Sequence, residues 1–72
     1  MNKRKNRGAK YDEGEQVVCF TPMAAQRNGG YPPAGTVLRA TKRNGEWACQ
    51  VQVDGTDRIE TWSEDTMGRL TV

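Results

Sequence analysis

The chain has no histidine and only two cysteines among its 72 residues. A zinc site needs about four ligands, and a disulfide framework normally shows four or more cysteines, so neither is expected. Cys19 and Cys49 therefore read as free, reduced thiols acting as small buried hydrophobes. Without an imidazole base, a Ser or Cys triad of the common kind is excluded. Large apolar residues are also scarce, with six Val, two Leu, one Ile and one Phe. That poverty would suggest disorder if the net charge were high, but it is only +2, so a small folded core is expected. No stretch approaches the ~20 apolar residues of a membrane span. The basic start runs into Tyr11-Asp12-Glu13-Gly14-Glu15 rather than an apolar segment, so it is not read as a secretory signal. No membrane association is expected, and the chain reads as cytoplasmic.

The charge that is present is unevenly placed. Lys3, Arg4, Lys5, Arg7 and Lys10 give residues 1–10 a net +5 with no acid, whereas residues 11–72 carry a net −3. A basic segment with Ala9 as its one apolar residue beyond the initial Met cannot repay its ordering entropy, so residues 1–10 are expected to form a disordered arm and residues 11–72 the domain.

Within that domain the punctuation is that of short strands. Gly14–Phe20 carries two β-branched residues and Phe20 without a helix-length apolar face, which favours a strand. Thr21–Ala34 contains Pro22, Gly29-Gly30 and Pro32-Pro33 and reads as a long loop with one helical turn at most over Met23–Arg27. Gly35–Thr41 is the second strand, followed by the hairpin signal Asn44-Gly45. In Glu46–Val53 the residues Trp47, Cys49, Val51 and Val53 alternate with Ala48, Gln50 and Gln52, so one face is buried. Asp54-Gly55 reads as a tight hairpin turn into Thr56–Trp62, with Ile59 and Thr61 expected inside and Arg58, Glu60 and Trp62 outside. Ser63–Thr66 has the form of a capping box or single turn before a last strand, Gly68–Val72. The expected core is Val17, Cys19, Val37, Ala40, Cys49, Val51, Val53, Ile59, Met67 and Leu70. So thin a core makes self-association an expectation as well.

Five short strands in meander order must close on themselves to limit exposed edges. This order, with Gly14-Glu15-x-Val17, Gly35-x-Val37, Val51-x-Val53-Asp54-Gly55 and the spacing from Trp62 to Met67 and Leu70, resembles the SH3-like small barrels, which include the Tudor and KOW modules. The resemblance implies an all-β, five-stranded antiparallel barrel over residues 11–72 that binds a partner rather than catalyses a reaction. Type II dihydrofolate reductase is a catalytic member, but its pore motif Val-Gln-Ile-Tyr meets Ile59-Glu60-Thr61-Trp62 here, with Gln replaced by Glu and Tyr by Trp. No cofactor is implied.

Two classes of partner fit the remaining features. The arm residues Lys3, Arg4, Lys5, Arg7 and Lys10, with Arg39, Lys42 and Arg43 around the Asn44-Gly45 hairpin, are candidate phosphate contacts for DNA or RNA; the plainer reading is a solvated tail and ordinary turn charges. Trp62 and Tyr31 are the candidate aromatic surface, for base stacking or for a peptide or methyl-lysine groove; the plainer reading has Trp62 covering the barrel flank and Trp47 closing one end of the core. Tyr31-Pro32-Pro33 is read as loop rigidity before a polyproline ligand. A nucleic-acid-binding accessory factor is thus the leading expectation, with a protein- or peptide-binding adaptor as the alternative; a phage or other mobile element would be a natural source.

Overall fold

A computed structural model describes residues 8–70, so Lys3, Arg4, Lys5 and Arg7 of the arm, and the last two residues of the expected final strand, lie outside the described residues. The described residues form β1 (Gln16–Cys19), α1 (Pro22–Arg27), β2 (Ala34–Arg43), β3 (Glu46–Val53), β4 (Ile59–Ser63), a 3-10 turn (Glu64–Thr66) and β5 (Met67–Arg69). All strand pairs are antiparallel and make one sheet in the order β4-β3-β2-β1-β5. The all-β expectation holds, but the expected closed barrel does not: the sheet is open, with β4 and β5 as its edges. No helix among the described residues is long and apolar enough to cross a membrane.

The alternation in β3 behaves as its sequence dictates. Cys49, Val51 and Val53 are buried, with Ala48, Gln50 and Gln52 half-covered on the other face. Val17 and Cys19 from β1, Val37 from β2 and Met67 from β5 complete the inner row, and Ala40 packs against it. Val37 and Ala40 differ in parity, and both can face inward only because β2 holds an extra residue: the pairing passes from Val37↔Val51 to Arg39↔Gln50, leaving Leu38 unpaired and exposed. Gly35 pairs with Val17 on one side and Val53 on the other. A Cβ there would fall on the Gln52 carbonyl and, at 2.5 Å, on Val51 Cγ1, so close strand packing requires glycine.

Three expectations about the core are corrected. In β4 the inward residues are Glu60 and Trp62, because β4 pairs with β3 as Cys49↔Trp62 and Val51↔Glu60, and cross-strand partners share a face. Trp62 is therefore buried at 4% exposure, and Ile59 is 56% exposed. Leu70, just past β5, is exposed as well, since its N–H pairs with the Gln16 carbonyl and turns its side chain to the outer face with Gly68. The third correction concerns the arm boundary. Ala9 and Tyr11 are buried, the Lys10 N–H donates to Glu64 Oε2 at 2.8 Å, and the Tyr11 hydroxyl donates to the Met67 carbonyl at 3.2 Å. Arg69 completes this strap by donating to the Lys10 carbonyl at 2.8 Å and to Glu15 at 2.9 Å while its guanidinium lies 5.0 Å from the Tyr11 ring centre. Residues 8–10 thus belong to the folded body, and the strap occupies the open side of β5.

The long loop after β1 is more regular than its prolines suggest. Pro22 at the helix start and the Thr21 hydroxyl, which accepts the Ala24 N–H at 3.1 Å, cap the six-residue α1 and bury Ala24. Ser63 does not cap the 3-10 turn; the Thr66 hydroxyl instead donates to the Ser63 carbonyl at 2.7 Å. Asp54-Gly55 lies within a wider loop than the two-residue turn expected, closed by the Val53 N–H donating to the Arg58 carbonyl at 3.0 Å. Glu60 ties α1 and this loop to the sheet. Its Oε1 accepts from Arg27 and from Trp62 Nε1, both at 2.9 Å, and its Oε2 accepts from Arg58 at 2.7 Å. The Trp62 hydrogen bond first, and then the two arginines, hold the Glu60 carboxyl below its usual range against the opposing effect of burial. Cys19 and Cys49 are buried free thiols, and burial pushes the Cys49 thiol up to about 11.

Truncating Trp62 to Ala should cost ~3–5 kcal/mol, most of the stability of so small a domain, whereas Ile59→Ala should stay within about 0.5 kcal/mol of the parent in urea unfolding. The reverse ranking would restore the opposite phase for β4. Gly35→Ala should unfold the chain more readily than Gly68→Ala, whose new methyl meets only the exposed Phe20 ring, which can swing aside. A carboxyl whose native pKa is lowered contributes stability above its unfolded value and loses it as pH falls through the native value. The urea midpoint of Glu60→Gln should thus lie furthest below the parent near pH 7, and the gap should close below pH ~4.

Candidate nucleic-acid interface

The β2–β3 hairpin is built by Asn44 at φ 53° and Gly45 at φ 80°, the pair of positive values that a type I′ turn requires. Its register, Arg43↔Glu46, Lys42↔Trp47, Thr41↔Ala48, Ala40↔Cys49 and Arg39↔Gln50, sorts the basic side chains between two faces. Arg39 and Arg43 project on the outer face. Lys42 shares the inner face with Trp47, and its ammonium lies 5.8 Å from the indole centre. Trp47 is half-buried at this end of β3 and lies outside the core cluster.

The N-terminal strap reaches the same place. Gly8, at φ +92°, lies against the Trp47 indole so closely that a Cβ on it would stand 3.5 Å from Nε1 and 3.7 Å from Cζ2. Arg7 is one peptide bond from Gly8, so the basic arm joins the body at Trp47, beside Lys42. Gly8 and Trp47, 39 positions apart in the sequence, thus meet at the hairpin end of β3.

The ion pairs sharpen this picture. Arg27 and Arg58 are paired with Glu60, and Arg69 with Glu15. Arg39, Lys42 and Arg43 have no acidic partner among the described residues, and although Glu46 stands across from Arg43 the two make no ion pair. Of the seven basic residues among the described residues, Lys10 of the strap and the three of the hairpin make no ion pair with a described acid. Two acids, Asp54 and Asp57, lie in the loop at the far end of β3.

The aromatic surface expected from Trp62 and Tyr31 is not assembled. Trp62 is in the core and spends its indole N–H on Glu60, while Tyr31 stands 73% exposed in the loop after α1, its carbonyl accepting from the Asn28 side chain at 3.0 Å. The aromatic that does border the basic residues is Trp47, whose position beside Lys42 follows from the Asn44-Gly45 register. No protein-family model, no curated protein and no solved structure matches this chain, so the functional reading rests on its own geometry.

Proposed function

We propose that this protein is a non-catalytic nucleic-acid-binding module, built on an SH3-like sheet and contacting the phosphate backbone through its basic arm and β2–β3 hairpin. The strand order β4-β3-β2-β1-β5, with a 3-10 turn between the last two strands, supports the SH3-like reading. The observation that carries the function is the contact of Gly8, next to the basic arm, with Trp47, over which lies Lys42, one of three hairpin cations without an acidic partner among the described residues. Cations already paired with carboxylates gain little from a phosphate, whereas unpaired ones release the counterions of the nucleic acid on binding. The acids of the far loop would be repelled by the same phosphates and so orient the hairpin end toward them. Arg39 and Arg43 on one face and Lys42 on the other suit a hairpin straddled by, or inserted between, backbone strands.

The test is a salt titration of affinity for duplex DNA, single-stranded DNA and RNA by fluorescence anisotropy. For a duplex, each lost phosphate contact should flatten the log–log slope by about 0.9, so Lys42→Gln with Arg43→Gln should flatten it by ~1.8 and removal of residues 2–7 by more. Neither change should move the melting temperature, because Lys42 and Arg43 are exposed and the sequence of residues 2–7 holds no apolar side chain. Affinity that ignores both changes would overturn the proposal.

A further inference from the structure

A second cavity-lining cluster lies at the opposite end of β3, about 23 Å from the hairpin at ~3.3 Å per residue from Glu46 to Val53. Here α1 and the β3–β4 loop enclose a cavity of about 60 Å³. Buried Ala24, Pro33 and Val53 contribute its apolar lining, and Arg27, Arg58 and Glu60 its charged lining. Each guanidinium gives one terminal nitrogen to Glu60, Arg27 at 2.9 Å and Arg58 at 2.7 Å. A guanidinium has five N–H donors, and the remaining side-chain donors of these two meet no protein acceptor among the described residues. Glu60, by contrast, already accepts three hydrogen bonds, from both arginines and from Trp62 Nε1. Nearby, Asn28 Nδ2 donates to the Tyr31 carbonyl, and the Thr56 hydroxyl donates to the Val53 carbonyl and accepts the Arg58 N–H.

From this we infer that the cleft between α1 and the β3–β4 loop binds a small aliphatic carboxylate, its two oxygens taken by Arg27 and Arg58 and its alkyl group lodged against Ala24, Pro33 and Val53. Two cations against one anion leave a net positive charge of one, which a monoanion neutralises. A cation would be repelled by the two guanidinium groups of the lining. Guanidinium forks match the planar carboxylate through paired N–H donors, and the role of Glu60 is to fix both forks toward the cleft. The size of the cavity and its apolar lining select a short alkyl chain. The chemistry is met equally by a free short-chain acid and by the C-terminal carboxylate of a peptide ending in a small apolar residue. This inference does not rest on the nucleic-acid reading, since it uses none of the hairpin residues.

The experiment is a titration of the full-length, 15N-labelled chain with isobutyrate and, separately, with isobutyramide at constant ionic strength in sodium chloride. Saturable shifts of the Ala24, Val53, Thr56 and Arg58 amides with the acid, and at least tenfold weaker ones with the amide, are expected. Arg58→Gln and Arg27→Gln should each weaken isobutyrate by tenfold or more, while Arg39→Gln should leave it unchanged. Gly-Gly-Val with a free carboxyl terminus separates the sources: tighter binding than isobutyrate assigns the site to peptide termini, and equal or weaker binding to free acids. Equal response to acid and amide, or inorganic phosphate binding more tightly than isobutyrate, would overturn the inference. If an arginine variant fails to fold, the acid–amide comparison on the unaltered chain still decides.

Discussion

A single extra residue in β2 decides which side chains this sheet buries. Were the register set by the Asn44-Gly45 turn to run on unbroken, Leu38 would face Val51 on the inner side and Val37 would point outward. The bulge at Leu38 reverses that for the first half of the strand, so Val37 reaches full burial between Val17 and Val51 while Ala40 and Lys42 keep the phase the turn imposes. The fully buried larger side chains are Val17, Val37, Val51 and Cys49, and such small residues tolerate no lost contact. The same bulge fixes the hairpin end, since it lets Lys42 remain beside Trp47 without turning the core residues of β2 away.

Charge is sorted in this molecule by what each arginine must hold. Arg27 and Arg58 converge on Glu60, which also receives the Trp62 indole N–H, so one carboxylate joins α1, the β3–β4 loop and the core tryptophan. Arg69 does equivalent work at the other edge, linking Glu15 to the strap at Lys10. Exposed ion pairs of this kind contribute little singly, but each here spans distant parts of the chain and so orders loops that the thin core does not reach. Among the described residues, what is left over is Lys10 and the basic charge of the hairpin, a surplus that follows from where the acids are used.

Much of this was legible in the residues. The strand sequence, the buried row of β3 and the hairpin at Asn44-Gly45 all follow from period-two alternation and turn chemistry. The simultaneous need for Val37 and Ala40 in the core already implied a bulge, because their parity differs. The phase of β4 was legible too: any hairpin loop with an even number of residues after Val53 pairs the odd-numbered inner residues of β3 with even-numbered residues of β4, whatever their hydropathy. Ile59 looks more apolar than Glu60, but register prevails, and Glu60 tolerates its half-covered inner position through three hydrogen bonds. The candidate interface was readable as two separate basic groups. The contact between Gly8 and Trp47, residues 39 positions apart, was not.

The strap explains why that contact exists. An edge strand of only three residues, β5, would present unpaired backbone groups to solvent and invite pairing with another chain. The Tyr11 hydroxyl takes the Met67 carbonyl, and Arg69 bends back over the Tyr11 ring to the Lys10 carbonyl. Protection of the edge thus comes from side chains and a crossing segment rather than from a further strand. Anchoring residues 9–12 along β5 dictates the direction from which the chain arrives, and the positive φ at Gly8 then places it against Trp47. The strap that covers the β5 edge therefore also sets Gly8 against Trp47, so that the residues protecting the edge also fix where the chain enters the hairpin end, the place of the proposed phosphate contacts.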